Sequence, residues 1–159
     1  RGRYLELIAP HPEHPGRGGL LTKAPPDFAP GLFTFAVRVP DLTRLEQLAK
    51  SAGVNVSRQK GGRTTPDGTV LTWETAMLSG HPFGSYVPFF IRWGEVTHPS
   101  ETAPQGCELL GFTVFHPQHL ELSKLYGALE LGVPVLEAEQ PRFQAVLGTP
   151  KGELVLDKA

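Results

Sequence analysis

The alternation of apolar and polar positions is clearest in residues 33–39. Apolar side chains occupy every second position there, and this period of two predicts a strand with one apolar face. Thr34, Ala36 and Arg38 are expected on the opposite face. Asp41 follows as a suitable helix N-cap, and leucines and alanines then repeat at helical spacing until Gly53, which favours the end of a helix.

Three further strands are predicted in the same half of the chain, at residues 54–58, 69–77 and 86–93, with a turn at 65–68. The resulting order is β-α-β-β-β. The pattern Phe-x-Val-x-x-Pro at 35–40, followed by a helix and then Gly-Val-x-Val at 53–56, returns at 112–117 and 132–135. Because a whole unit recurs, we predict an α+β fold. It would consist of repeated β-α-β-β-β modules that form curved, mostly antiparallel sheets with helices on the outer face.

The beginning of the chain suggests part of one more unit. Residues 4–9 alternate around a strand pattern that would place Tyr4, Glu6 and Ile8 on the inner face. We therefore interpret residues 1–10 as the last strand of an incomplete first module and residues 11–31 as a Pro/Gly-rich connection. Residues 32–95 and 107–159 would be the second and third modules of one compact domain.

Composition and charge narrow the range of partners. The chain has 15 Lys and Arg against 16 Asp and Glu residues, a balance that gives no electrostatic reason to expect nucleic acid or an anionic membrane as a partner. No apolar run approaches the roughly 20 residues of a membrane-spanning helix. Cys107 is the only cysteine, so we expect no intrachain disulfide, a buried thiol and a cytoplasmic location. The chain begins at Arg1 and its only methionine is Met77; we expect that the natural start precedes Arg1.

Three motifs accompany the repeated units: YLELIAP at 4–10, RTTPDGTVLTW at 63–73 and PFFIRWG at 88–94. Together with the β-α-β-β-β repeat, they resemble the vicinal oxygen chelate superfamily, which includes glyoxalase I, bleomycin-resistance proteins and extradiol dioxygenases. In these motifs the chain is similar to glyoxalase-like domains. Metal-binding members use a divalent cation to polarise two vicinal substrate oxygens. The resemblance thus implies a metal-dependent lyase, isomerase or dioxygenase as one possible function.

The metal ligands implied by the resemblance are incomplete in this sequence. Glu6 falls at the position of the last-strand glutamate, and could bind a metal or act as a general base. Thr34, Phe90 and Gly111 stand where further ligands would be expected, and none of these side chains binds a divalent cation well. A divalent metal is therefore possible but not favoured. Glu6 could instead pair with Arg38 or Arg92, and the two histidines of HPEH at 11–14 are expected in a loop.

A ligand pocket on the inner sheet face is the alternative to a metal site. Aromatic walls with a few cations suit a planar or anionic small molecule. The residues expected to line it are Tyr4, Thr34, Arg38, Trp73, Phe90, Arg92, Trp93 and His98. These aromatic residues could equally be core and the arginines surface ion pairs. Three functions remain open: ligand binding without a metal, a metal enzyme completed by residues outside this segment, and a homodimer formed through the open sheet face.

Overall fold

The computed structural model describes residues 2–9, 13, 31–65, 67–95 and 98–157. The elements of the first half are β1 (Ala36–Arg38), α1 (Leu42–Ser51), β2 (Asn55–Thr64), β3 (Val70–Ser79), a short 3-10 helix (Gly84–Tyr86) and β4 (Phe89–Trp93). Those of the second half are α2 (Pro99–Thr102), β5 (Glu108–Phe115), α3 (His119–Ala128), β6 (Val135–Leu136), β7 (Arg142–Thr149) and β8 (Gly152–Asp157). The predicted α+β class with a repeated β-α-β-β-β order is confirmed.

Helix α1 forms where capping and amphipathic spacing coincide. The Asp41 carboxylate accepts a hydrogen bond from the backbone N–H of Thr43 at 2.7 Å, which satisfies one of the free donors of the first turn. Leu42, Leu45 and Ala49 are buried on one side of the helix. The helix ends before Gly53, whose φ of 73° is a conformation that glycine adopts without strain.

The strands form two four-stranded sheets with different neighbours. The first sheet has the order β1-β4-β3-β2, and the second has the order β6-β5-β7-β8. The sequence Thr-Pro-x-Gly connects β2 to β3 at residues 65–68, but β7 to β8 at residues 149–152. The repeat therefore preserves the order of elements along the chain and not the pairing of the strands.

A single hydrophobic core joins the two sheets and both long helices. The ring of Phe35 lies 4.9 Å from that of Phe112 and 6.0 Å from that of Phe143, so aromatic side chains of the first half pack directly on those of the second. The Tyr126 hydroxyl donates a hydrogen bond to the Tyr86 carbonyl across the same junction. Of the helices that the structure describes, none is long and apolar enough to cross a membrane.

The predicted first strand is wrong. Residues 2–9 form no strand, and their side chains are exposed, including Leu7. A strand requires a neighbour for its backbone N–H and C=O groups, and no strand in the described part of the chain pairs with this segment. Apart from Glu13 and Gly31, the predicted connection at 11–31 lies outside the described residues, as do His11 and His14.

Candidate functional site

Strand register divides the side chains of the first sheet between two faces. On one face Val37, Phe90 and Ala76 are direct neighbours on β1, β4 and β3 and belong to the hydrophobic core. The opposite face carries the residues one position away on each strand. It corresponds to the face predicted to be the inner one, and we call it the outer face because it lies away from the core. Its members include Arg38, Gly61, Arg63, Leu71, Trp73, Phe89, Ile91 and Trp93.

Two residues predicted to line the ligand pocket lie on the core side instead. Phe90 is only 1% exposed and packs in the core. Arg92, two positions further along β4, shares that side, and its Nη2 lies 3.3 Å from an oxygen of Glu74. Consecutive phenylalanines at 89 and 90 point to opposite faces, and the sequence pattern did not determine which of them faces the core.

Four rings form a continuous row on the outer face. The ring centroids of Trp73 and Trp93 are 5.4 Å apart, those of Trp93 and His98 are 5.6 Å apart, and those of His98 and Tyr4 are 5.7 Å apart. These distances are typical of favourable aromatic contacts. The structure thus brings together four of the eight predicted pocket residues, from β3, β4, the N-cap of α2 and the segment at residues 2–9.

Gly61 makes room for the first ring of this row. A Cβ atom at this position would lie 2.4 Å from Trp73 Nε1 and 2.6 Å from Trp73 Cε2. The indole therefore lies across the backbone of β2, in space that a side chain on Gly61 would fill. Glycine at position 61 is a requirement of the aromatic row.

His98 is held in a fixed orientation as the N-cap of α2. Its Nδ1 accepts a hydrogen bond from the backbone N–H of Ser100 at 3.2 Å and lies 2.8 Å from the Ser100 hydroxyl. The side chain is 5% exposed. Burial, and to a lesser extent the positive charge of Arg38, lower the pKa of His98. The imidazole is therefore neutral near pH 7, and Nε2 carries the proton that it could donate to a ligand.

Two arginines add positive charge to this face. Arg38 on β1 lowers the pKa of His98, and Arg63 on β2 opposes the rise in the pKa of Tyr4 that burial and the charge of Glu6 cause. Neither guanidinium forms a salt bridge with a carboxylate of the described residues. Thr34, also predicted for the pocket, donates its hydroxyl hydrogen to the Ser85 carbonyl at 3.4 Å.

A cleft of about 430 Å³ opens beside the aromatic row. It lies between the β2–β3 hairpin and α2, and its lining residues are Arg63, Thr65, Asp67, Thr69, Leu71, Pro99 and Thr102. Asp67 is engaged within the hairpin, where Thr65 Oγ1 and the Thr69 N–H donate to it. The cleft therefore has an apolar floor at Leu71 and, at its edge, the Arg63 guanidinium, which forms no salt bridge with the described residues.

The arginines on the core side are neutralised, in contrast to those on the outer face. Arg58 donates to both oxygens of Glu74, at 3.0 and 2.9 Å, and Arg92 adds a contact to the same carboxylate. The hydrogen bonds from Arg58 lower the pKa of Glu74. This network also reaches α1 through Glu46, 3.3 Å from Arg58. The position of Glu74 between the two arginines indicates a structural role.

The described residues do not fit a divalent metal site. Glu6 is exposed in the segment at residues 2–9, and nowhere in the described ranges do three or more His, Cys, Asp or Glu side chains converge. A first-row metal needs three or four converging donors. The predicted role of Glu6 as an inward-facing metal ligand or base rested on a strand that the structure does not contain.

No role was predicted for Gly61 or Arg63, because only residues 54–58 were assigned to the strand that begins at Val54. In the structure β2 continues to Thr64, and Gly61 and Arg63 face Trp73 and Leu71 across the sheet. Extending the period of two through the glycines would have placed Arg63 on the outer face.

Comparison with known proteins agrees with this architecture. The family model described as a glyoxalase-like domain matches residues 1–130. No curated protein matches the chain.

One solved structure has a similar fold. It is the crystal structure of a hypothetical protein from Staphylococcus aureus, with a TM-score of 0.53 and 13% sequence identity. The match covers 79% of this chain and 51% of the other, so the chain spans about half the length of that protein. At this identity the likeness supports the fold alone.

Proposed function

The chain belongs to the glyoxalase-like domain family, and on that premise we propose that it binds a small planar anion on the outer face of its first sheet. The observation that carries the proposal is the row of four rings flanked by Arg38 and Arg63. Such a surface provides stacking for a flat ligand, and its guanidinium groups, which form no salt bridge within the described residues, provide hydrogen bonds for an acidic substituent.

The surrounding structure favours an anion over a cation. Arg38 and Arg63 are exposed and lack a carboxylate partner in the described part of the chain. The neutral imidazole of His98, which senses the charge of Arg38, adds a hydrogen-bond donor. Two carboxylates act on rings of the row: Glu6 raises the pKa of Tyr4 and Glu101 raises that of His98. Both carboxylates are exposed, where solvent screens their charges.

Both tryptophans of the chain lie in the aromatic row, which gives a direct assay. Titration with 2-naphthoate, followed by ¹H–¹⁵N NMR, should shift the indole N–H resonances of Trp73 and Trp93 in a saturable manner. The neutral analogue 2-naphthamide should bind more weakly, because it offers no charge to the arginines.

Arginine variants test the electrostatic part of the proposal. We expect Arg38→Gln and Arg63→Gln each to weaken 2-naphthoate binding roughly fivefold, which corresponds to about 1 kcal/mol. Arg44→Gln is the matched control, because Arg44 lies on α1 and pairs with Glu130 at 2.6 Å. Failure of 2-naphthoate to shift either indole resonance would overturn the proposal, as would unchanged affinity in the Arg38→Gln/Arg63→Gln double variant.

A further inference from the structure

The four edges of the two sheets differ in how well they are protected against pairing with another strand. β1 has three residues and β6 has two, so neither offers a long edge. β2 is long but carries Arg58, Lys60 and Arg63, and charged side chains discourage edge pairing. β8, with the sequence GELVLD, carries Glu153 and Asp157, but between them it has exposed aliphatic side chains at Leu154 (48%) and Val155 (52%).

A row of leucines crosses the second sheet and ends at this edge. Leu109 on β5 is the direct neighbour of Leu147 on β7, and Leu147 is the direct neighbour of Leu154 on β8. Direct neighbours in an antiparallel sheet share one face and contact each other. Leu154 therefore has an apolar neighbour on one side and solvent on the other.

We propose that β8 pairs with β8 of a second copy of this chain, in antiparallel orientation, with Leu154 opposite Leu154. This pairing joins the two second sheets into one sheet of eight strands. It extends the leucine row across the interface, so that Leu109, Leu147 and Leu154 of one chain continue into the same residues of the other.

Charges on β8 and in the turn before it favour this register. With Leu154 on the twofold axis, Glu153 lies opposite Val155 of the partner chain. Lys151, in the turn that precedes β8, then lies on the same side of the axis as Asp157 of the partner chain, and these opposite charges attract. A register centred on Val155 would place Glu153 opposite Asp157, two like charges. Asp157 already accepts hydrogen bonds from Arg142 at 2.8 and 2.9 Å, which fixes its carboxylate near the edge.

An interface of one six-residue strand per chain is small, so the dimer should be weak and depend on concentration. In sedimentation velocity experiments from roughly 10 µM to 1 mM, the average mass should rise from that of one chain toward that of two. Leu154→Lys should abolish the rise. Leu120→Lys, which changes a more exposed leucine (61%) on α3, should leave it unchanged.

Disulfide trapping tests the register. Cys107 is a free cysteine that is exposed rather than buried as predicted, so the experiment uses a Cys107→Ser background. Leu154→Cys places two thiols opposite each other on the axis, at a Cα separation of about 4.5–5.5 Å that a disulfide can bridge, and should give a covalent dimer on mild oxidation. Val155→Cys faces Glu153 of the partner, at about 8 Å from its own counterpart, and should cross-link far less.

Three outcomes would overturn the inference. They are a single-chain mass at every concentration, a Leu154→Lys variant that associates as the unchanged protein does, and preferential cross-linking of Val155→Cys. Circular dichroism spectra of the variants establish that each keeps its fold, so a loss of association reports on the edge itself.

Discussion

The two faces of the first sheet both carry aromatic residues and arginines, but they differ in how far these side chains are buried and paired. On the core side Phe90 is buried, and Arg58 and Arg92 both form salt bridges with Glu74. On the outer face Tyr4 and the two tryptophans remain partly exposed, and Arg38 and Arg63 form no salt bridge with the described residues. The core face therefore contains both charges of its ion pairs, whereas on the outer face the two arginines have no carboxylate partner among the described residues.

The second sheet also has an outer face, opposite the core pair Val114 and Phe143. Arg142 and Phe115 on that face show that an arginine beside an aromatic ring is not sufficient to indicate a site. Arg142 lies over the Phe115 ring, 3.6 Å from its centroid, but it also donates to both oxygens of Asp157. Its charge is therefore satisfied within the sheet. What distinguishes the first sheet is the absence of such a carboxylate beside its two arginines in the part of the chain that the structure describes.

The largest expected effect comes from replacing one phenylalanine on each face with alanine and comparing the losses in the free energy of unfolding. Phe90→Ala should lower the free energy of unfolding by about 3–5 kcal/mol, because it leaves a cavity in the core. Phe89→Ala, on the half-buried outer face, should have a clearly smaller effect. Urea denaturation of both variants measures the difference. Equal losses would show that the two faces are not distinct in packing.

An intermediate effect is expected from the glycines on the two outer faces. Gly61→Ala should destabilise the protein by about 1–3 kcal/mol and shift the Trp73 indole resonance, because the added methyl group overlaps the ring. Gly111→Ala on the second sheet meets only Val146, at 3.9 Å, and should be nearly neutral. An unchanged Trp73 resonance in Gly61→Ala would contradict the close contact.

The smallest expected effect is a pH dependence of stability that arises from His116, where the two halves of the chain pack together. Burial lowers the pKa of His116, which lies between the rings of Phe83 and Tyr86. The unfolded chain therefore binds a proton that the folded chain does not, and stability should decline as pH falls from 7 to 5. His116→Gln should decline less over this range in urea denaturation. Equal slopes for the variant and the unchanged protein would exclude His116 as a cause.

Local elements of this fold could be predicted from the sequence because local rules determine them. The period of two in residues 33–39 assigned Val37 to the core, and the Asp41 cap and leucine spacing located α1. The choice between Phe89 and Phe90 could not be predicted, because it depends on which of them neighbours Val37 and Ala76 across the sheet. That is a property of strand pairing, which a single sequence does not specify.

The error at residues 4–9 has a related cause. An alternating segment resembles a strand whether or not a partner strand exists, and the expected role of Glu6 depended on that partner. Tyr4 was correctly associated with Trp93 and His98, although contact with the His98 ring, rather than a place in a sheet, positions it. Of the residues predicted for the pocket, Tyr4, Trp73, Trp93 and His98 lie in one row, whereas Phe90 lies in the core; Gly61, which accommodates Trp73, was not predicted.

The different strand orders of the two sheets have a consequence for symmetry. Two copies of a module with identical pairing would be related by a pseudo-twofold axis, and each feature of one half would have a rotated counterpart in the other. Here the orders β1-β4-β3-β2 and β6-β5-β7-β8 cannot be superimposed with equivalent strands matched. The described residues of the second half therefore contain no rotated counterpart of the aromatic row, so the row breaks the internal symmetry of the repeat.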